Sequence, residues 1–167
     1  MIQKITPMFW FDSDAERAVE FYVSVFPDSR IHQVLHYSEA GFEHHGRPAG
    51  SVMTLDFELC GQRFSALNGG PLFKLSEATS LVVHCETQDE IDYYWDQLSQ
   101  GGDPQCQACG WVKDRFALSW QVVPVQLAAW LGRGDAQMAS RVMSEVMTMK
   151  KLDLARLQKV ANTSHTT

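Results

Sequence analysis

The sequence predicts an α+β fold made of two βαβββ units, plus C-terminal helices. Two observations predict it: the order strand, helix and three strands occurs twice, and the stretch QRFSALNGGP at residues 62–71 is echoed by DRFALSWQVVP at residues 114–124. An internal echo of this size indicates two similar supersecondary units. We assign the first unit to residues 1–75, the second to 76–124 and a helical extension to 125–167, all within one structural domain.

The first unit opens with an aromatic run at residues 5–12, which predicts a short buried strand. Ser13 and Glu16 have the spacing of a capping box, so a helix is expected next, and Pro27 ends it. Three further strands are predicted at residues 29–38, 52–60 and 63–68. In the middle one, apolar and polar residues alternate, which predicts that one side is buried and the other is wet or functional.

The second unit repeats this order. Residues 78–86 read as a strand, and Thr87 and Glu90 form a second capping box at the head of a helix that ends at Gly101 and Gly102. Three strands should follow: a Gln- and Cys-containing segment, then residues 110–113 and 117–123. The first of these has the weakest strand pattern.

Three helix-like segments follow Pro124, at residues 125–131, 136–151 and 154–160. They carry a methionine-rich apolar stripe made of Met138, Val142, Met143, Val146, Met147 and Met149. Such a stripe packs either on its own domain or on a second subunit, or it forms an adaptable binding surface. The sequence favours the packing role.

Composition excludes several classes of protein. The chain has 14 Lys and Arg against 20 Asp and Glu, a net charge of -6, which argues against nucleic-acid binding because the phosphate backbone requires clustered positive charge. No apolar run approaches the about 18 residues that a membrane-spanning helix needs. The N-terminus lacks the apolar core of a signal peptide, so we expect a cytoplasmic protein without membrane association.

The four cysteines do not predict a disulfide framework in a reducing compartment. Cys106 and Cys109 form a C-x-x-C pair, which could be half of a zinc site, a redox pair or two ordinary loop thiols. No second C-x-x-C is present to complete a zinc site, so the pattern favours ordinary thiols.

Several blocks of the chain resemble the PhnB-like family, which often carries the label 3-demethylubiquinone-9 3-methyltransferase. These blocks are FWFDSDAERAVEFYVSVFPDSRI, GSVMTLDFELCGQRFSALNGGP, VVHCETQDEIDYYWDQLSQGG, CGWVKDRFALSWQVVP and RVMSEVMTMKKLDLARLQK. The family resembles the wider vicinal-oxygen-chelate superfamily of glyoxalases, dioxygenases and bleomycin-resistance proteins. The resemblance implies that the sheets curl into a mixed-sheet cup and that the protein is a homodimer.

In metal-chelating members of that superfamily, His and Glu ligands come from the first and last strands of each unit. The resemblance places those positions at Ile5 or Thr6, Asn68, Ser80 and Gln121, none of which is His, Glu, Asp or Cys. Imidazole and carboxylate donors are what a borderline divalent ion prefers. We therefore predict no metal site and no cofactor.

The same positions predict a neutral ligand site instead. Two amides, a hydroxyl and an imidazole ringed by aromatic side chains would suit a small, polar, partly planar ligand. The predicted ligand-binding residues are Trp10, Asn68, Phe73, Ser80, His84, Trp111, Ser119 and Gln121. The alternatives are that Asn68 and Gln121 only bond neighbouring backbone and that His84 is a satisfied strand residue; no residue is assigned a catalytic role.

The prediction is thus a small-molecule-binding protein whose ligand lies in the cup between the two units. The alternatives are an enzyme, either a metal-dependent lyase or dioxygenase or a methyltransferase as the family label says, and a purely structural or partner-binding dimer that uses the methionine-rich helices. A methyltransferase on a doubly wound fold needs a Gly-rich turn from strand to helix beside the cofactor. Here Gly69-Gly70 is followed by Pro71 rather than by a helix pattern, which argues against that alternative.

Overall fold

The computed structural model describes residues 4–132 and 135–163 of the chain. The chain divides into two compact units, residues 1–75 and 76–167. Each unit has its own mixed sheet and its own helix packed against that sheet. Within the described residues, no helix is long and apolar enough to cross a membrane.

The first unit has the predicted βαβββ order. Its strands form one sheet in the order β1-β4-β3-β2, in which β1 and β4 run parallel and the other neighbours antiparallel. The elements are β1 (Met8–Phe11), α1 (Ala15–Val25), β2 (Arg30–His36), a short α2 (Phe42–His45), β3 (Val52–Leu59) and β4 (Gln62–Asn68). The helix α2 lies within the Gly- and Pro-containing segment that separates β2 from β3.

Alternation in β3 builds the core of the first unit, as predicted. Leu55, Phe57 and Leu59 are buried on the side of the sheet that α1 covers. Phe64 on β4 stacks on Phe57 with ring centroids 5.6 Å apart, and on Phe9 of β1 at 5.7 Å. This aromatic stack across three strands fixes which side of the sheet faces the helix. If one strand shifted its pairing register by one residue, its aromatic side chain would point to the other side of the sheet.

The start of α1 corrects one prediction. Asp14, not Ser13, is the N-cap residue, and its side chain makes no capping hydrogen bond. The carbonyl oxygen of the Asn68 side chain accepts the N–H of Ala15 at 2.9 Å instead. The expected capping box at Ser13 was therefore wrong, because a residue 53 positions away supplies the acceptor.

The second unit contains a three-stranded sheet in the order β5-β7-β6, with β5 parallel to β7. Its elements are β5 (Ser80–Cys85), α3 (Gln88–Ser99), β6 (Trp111–Lys113) and β7 (Ser119–Pro124). The second capping box is confirmed at its N-cap, since Thr87 Oγ1 accepts the N–H of Glu90 at 3.2 Å. The Glu90 carboxylate accepts the N–H of Glu86 rather than that of the cap residue.

The strand predicted between α3 and β6 is absent from the described structure. A 3-10 helix occupies Pro104–Cys106, and the Asp103 carboxylate accepts the N–H of Gln105 at its start. Cys109 and Gly110 then adopt positive φ angles of 55° and 84°. Proline has no N–H to donate to the hydrogen bonds of a sheet, and residues with positive φ interrupt the regular strand geometry. Among these residues, only an isolated bridge between Ala108 and Trp111 therefore forms.

The helical extension packs on the sheet of the second unit. It consists of α4 (Leu127–Gly132), α5 (Ala136–Val146) and α6 (Leu154–Ala161), close to the predicted segments except that α5 ends earlier. Val142, Val146 and Leu157 form a buried cluster with residues of neighbouring elements. The side-chain amide of Gln88 on α3 donates to the carbonyl of Leu152 and accepts the N–H of Leu154.

The methionine stripe is divided by this packing. Met149 is buried in the cluster of the extension, and Met138 packs against it. Met143 and Met147 are 44% and 67% exposed. The packing role favoured from the sequence therefore applies to one part of the stripe, and two thioethers remain at the surface.

Replacement of Leu157 by Ala tests whether the extension is integral to the second unit. Leu157 is fully buried, so Leu157→Ala should lower the free energy of unfolding by about 2–5 kcal/mol, through lost apolar burial and the cavity left behind. Leu72, 76% exposed in the first unit, is the matched control, and Leu72→Ala should change stability by less than about 0.5 kcal/mol. Urea unfolding followed by circular dichroism measures both, and equal effects would show that the extension contributes no core.

Cys85 should be the least reactive thiol in the folded chain. Burial, and then the negative charge of Glu90, raise its pKa to about 12, so almost no thiolate forms at pH 8. We expect iodoacetamide to modify Cys60, Cys106 and Cys109 before Cys85, as read by mass spectrometry, and four adducts to form after unfolding in urea. Four adducts forming equally fast in the folded protein would contradict the burial of Cys85.

The same shift gives a pH dependence. Because the pKa of Cys85 is higher in the folded chain than its ordinary value of 9.0, the stability contribution of the neutral thiol is complete below pH 9.0 and is lost as the pH rises toward about 12.

Candidate functional site

The candidate site is one side of the second sheet. In β7, Trp120 and Val122 are buried on the side that α3 covers, so Ser119 and Gln121 lie on the opposite side. The register pairs Ser80 with Ser119, and Gln121 with both Val82 and Trp111. We call this side the polar face of the second sheet; it comprises Ser80, Val82, His84, Trp111, Lys113, Ser119, Gln121 and, at its end, Val123, which packs against the extension.

Two predicted ligand-binding residues bond each other on the polar face. The Gln121 amide nitrogen donates to Ser80 Oγ at 2.9 Å. The parallel pairing of β5 with β7 makes this contact possible, since it puts the two side chains on adjacent strands and on one side. Because Ser80 accepts this bond, its own hydroxyl hydrogen remains available as a donor.

Ser119 is the unusual residue of the polar face. Its side chain is 2% exposed, and its hydroxyl has no hydrogen-bond partner among the residues that the structure describes. In the register it lies between Ser80 on β5 and Lys113 on β6. A buried hydroxyl without a partner costs about 1–3 kcal/mol, so the arrangement favours any group that would bond it.

An ion pair borders the polar face. The ammonium of Lys113 lies 2.8 Å from the carboxylate of Glu77. The hydrogen bond between them raises the pKa of Lys113 and lowers the pKa of Glu77, so both groups are charged at neutral pH. Each neutralises the other, and the polar face presents mainly amide and hydroxyl groups.

His84 and Trp111 complete the face. His84 is exposed near the end of β5, two residues after Val82 and therefore on the same side of the sheet. Trp111 is half-buried on β6, directly beside Gln121. Five of the eight predicted site residues therefore share this one side of the second sheet: Ser80, His84, Trp111, Ser119 and Gln121.

Trp10 and Phe73 come together in the first unit. Their rings meet edge to face with centroids 4.9 Å apart, and Trp10 Nε1 donates to the carbonyl of Gly70 at 2.8 Å. A side chain at Gly69 would collide with the indole, since a Cβ there would lie 2.3 Å from Trp10 Cζ2. Glycine at this position thus allows the indole to lie flat against the chain that follows β4.

Asn68 lies on the α1 side of the first sheet, not with Trp10. Besides accepting the N–H of Ala15, its amide nitrogen donates to the carbonyl of Val52 at 3.1 Å and to the carboxylate of Glu16. Both amide hydrogens are therefore used inside the unit. These bonds give Asn68 a structural role that joins α1, β3 and β4, and a ligand contact by Asn68 stays a prediction.

A charged cluster in the first unit was missed from the sequence. Glu58 on β3 is approached by Arg30 at 3.4 Å, His32 at 3.3 Å and Arg63 at 3.6 Å. A register shift in β2 between Ile31 and Gln33 accompanies this grouping. The alternation of polar residues in β3 indicates that Glu58 lies on the wet side of the sheet. Its three partners come from β2 and β4, and the sequence does not show how these strands pair with β3.

Metal ligation of the usual kind is not indicated in the residues that the structure describes. Among residues 4–132 and 135–163, no group of three or more His, Cys, Asp or Glu side chains could hold a metal ion. The predicted absence of a metal stays a prediction.

Replacement of Asn68 tests its structural role. Asn68→Ala leaves the N–H of Ala15 and the carbonyl of Val52 without their partner, so the free energy of unfolding should fall by about 2–4 kcal/mol. Gln62, exposed at the other end of the same strand, supplies the control, since Gln62→Ala should stay within about 0.5 kcal/mol of wild type. Urea titration measures the free energy of unfolding of both variants. If Asn68→Ala were as stable as wild type, Asn68 would not have the structural role assigned to it.

A family model described as 3-demethylubiquinone-9 3-methyltransferase matches residues 3–123 of the chain. The chain is similar to a PhnB protein of that description from Bacillus cereus, with 33% identity and a TM-score of 0.64, over 74% of this chain and all of the other. None of the curated proteins compared with the chain matches it.

More distant solved structures show the same fold. Protein PA1353 from Pseudomonas aeruginosa is 18% identical with a TM-score of 0.56, covering 74% of this chain and 98% of that one. The fosfomycin resistance protein FosX from Listeria monocytogenes, solved with Mn(II) and sulfate, is 14% identical with a TM-score of 0.50, covering 80% and 98%. The predicted glyoxalase/bleomycin-resistance fold is confirmed, and the chain belongs to the PhnB-like, 3-demethylubiquinone-9 3-methyltransferase family.

Proposed function

We propose that the polar face of the second sheet binds a small, neutral, planar compound that carries carbonyl or hydroxyl oxygens, as a quinone does. One observation carries the proposal: within residues 4–132 and 135–163, the buried hydroxyl of Ser119 has no hydrogen-bond partner, and it lies directly beside the bonded pair of Ser80 and Gln121. Neighbouring protein atoms cover the hydroxyl oxygen, so a ligand oxygen that displaced them would satisfy it and gain more than an ordinary surface hydrogen bond.

The chemistry of the face selects the ligand class. Serine hydroxyls and a glutamine amide both donate and accept, so they suit a carbonyl or a hydroxyl rather than a charged group. Lys113 is already neutralised by Glu77, which leaves little net attraction for an anion. The half-buried indole of Trp111 offers an apolar wall against which a flat ring can pack.

The family supports a quinone in particular. The description of the matching model names a demethylated ubiquinone, a flat ring with adjacent oxygen substituents. Such a ring would bind to Ser80, Ser119 and Gln121 of the polar face. The predicted ligand-binding residues of the first unit, Trp10, Asn68 and Phe73, would not contact it.

Methyl transfer to a ring hydroxyl is a second candidate, favoured by the family description and by His84 on the same side of the sheet. An imidazole can accept the proton that a hydroxyl loses when it is methylated. This candidate requires a methyl donor such as S-adenosylmethionine.

The test uses the full chain with two probes, a short-chain ubiquinone and its 3-demethyl counterpart, and follows quenching of tryptophan fluorescence. Gln121→Ala should weaken binding about tenfold, the value of one lost hydrogen bond of about 1.4 kcal/mol. Gln105 is exposed in the same unit, and Gln105→Ala should bind like wild type. Binding unchanged by Gln121→Ala, or no binding of either quinone, would overturn the proposal.

Ser119→Ala gives a sharper result because two effects should oppose each other. Removal of a buried hydroxyl without a partner should raise the free energy of unfolding of the ligand-free protein by about 1 kcal/mol, while quinone binding weakens. A stability loss with unchanged binding would show that the hydroxyl serves the fold rather than a ligand. Formation of the methylated product on addition of S-adenosylmethionine would establish the second candidate.

We also propose that the protein acts as a homodimer in the cytoplasm, as expected from the family resemblance. The helices of the extension pack within the second unit, so their apolar cluster is not itself evidence for a dimer contact. Sedimentation equilibrium of the full chain decides the oligomeric state, and a monomer at micromolar concentration would overturn this part of the proposal.

A further inference from the structure

We propose that the second unit contains a Cu(I) site formed by the thiols of Cys106 and Cys109 and the thioether of Met147. Two sequence features with no role in the proposed function, the C-x-x-C pair and the methionine-rich stripe, meet at this place. The site is independent of the polar face and of the ligand proposed for it.

The contact between Cys109 and Met147 carries the inference. Their sulfur atoms lie 3.6 Å apart although the residues are 38 positions apart in the chain. Two sulfurs bound to one metal at about 2.3 Å each, with an angle near the tetrahedral value, would be about 3.8 Å apart. The two atoms are thus already at the separation that a shared metal ion would require.

The backbone holds this arrangement independently of the sulfur atoms. The N–H of Cys109 donates to the carbonyl of Met149 at 2.8 Å, and the N–H of Gly110 donates to the carbonyl of Lys150 at 2.8 Å. These two bonds join the cysteine loop to the segment just after α5, where Met147 is the C-cap residue. Binding would need little reorganisation of the chain, which favours affinity.

Two further sulfurs are available for coordination. Cys106, half-buried at the end of the 3-10 helix, is separated from Cys109 by two residues, the spacing at which cysteine pairs commonly bind one metal ion. Met143 is 44% exposed and lies four residues before Met147, which puts it on the same side of α5. Two sulfurs, those of Cys109 and Met147, are therefore in contact at the loop. The thiol of Cys106, which lies 3.8 Å from the Asp103 carboxylate, would have to turn toward them to complete the site, and Met143 lies one helical turn away.

The donor set determines the metal. Thiolates and thioethers are soft ligands that select Cu(I), whereas Mg²⁺ and Mn²⁺ prefer oxygen ligands. Zinc sites in proteins use thiolate, imidazole and carboxylate ligands, so a thioether contact distinguishes Cu(I) from Zn²⁺. Binding by two thiols releases two protons to solvent, and the apparent affinity should increase with pH.

The experiment titrates Cu(I) into the reduced full-length protein without oxygen, against the chromophoric Cu(I) chelator bicinchoninate. The wild-type chain should take one equivalent of Cu(I) from the chelator. Met147→Leu, which keeps the size of an exposed side chain, should weaken binding at least tenfold with an unchanged thermal midpoint. Cys109→Ser should weaken it at least a hundredfold, and Cys60→Ser, an exposed cysteine of the first unit, is the matched control that should bind like wild type.

Three outcomes would overturn the proposal. In the first, the wild-type chain does not remove Cu(I) from the chelator. In the second, Met147→Leu binds Cu(I) as tightly as wild type. In the third, Cys60→Ser loses as much affinity for Cu(I) as Cys109→Ser does. If Cys109→Ser failed to fold, Cys106→Ser and the X-ray absorption spectrum of the wild-type complex would decide. The spectrum should show sulfur neighbours alone at about 2.2–2.3 Å, and nitrogen or oxygen neighbours in their place would contradict the thiol and thioether ligands.

Discussion

Parallel pairing between the first and last strands of each unit is the constraint on which the rest of the structure depends. β1 pairs with β4, and β5 with β7. Parallel neighbours cannot be joined by a tight turn, and each unit has a helix directly after its first strand, which covers one side of the sheet. Most apolar residues of each sheet lie on that side, whereas the other side carries most of the polar side chains; Val123 at the end of β7 is an exception, since it packs against the apolar cluster of the extension. The neighbouring positions of Ser80 and Ser119 follow directly from this pairing.

The two units use the uncovered side differently. In the first sheet, Glu58 is contacted by the guanidinium groups of Arg30 and Arg63 and by the imidazole of His32, and Trp10 donates to the carbonyl of Gly70, so these polar groups already have protein partners. In the second sheet, the polar groups are neutral, and the hydroxyl of Ser119 is buried without a described partner. A buried polar group that costs free energy in the unliganded protein favours a ligand able to bond it, which is why the second sheet is the better candidate.

The sequence predicts elements whose signal is local and fails where the deciding partner is distant. Alternation in β3 and the Thr87 cap were readable because both depend on neighbouring residues. The family resemblance places Asn68 and Gln121 at equivalent positions of the two last strands, yet Asn68 lies on the α1 side of its sheet and Gln121 on the side away from α3. One residue of register reverses the side to which a strand residue points, and that register is set by packing across the sheet. The 3-10 helix at Pro104–Cys106 likewise depends on a side-chain bond from Asp103.

The segment from Cys109 to Trp111 connects the features of the second unit. Gly110 donates its N–H to Lys150 and its carbonyl accepts the N–H of Val122, while a side chain at its position would meet the Val122 carbonyl at 3.0 Å and Leu152 at 3.1 Å. Its positive φ of 84° also favours glycine. This fixed residue separates the sulfur atoms of the cysteine loop from the indole of Trp111 on the polar face. Gly110 is thus held by backbone bonds both to the segment after α5 and to β7, and the two proposed sites lie on either side of it along the chain.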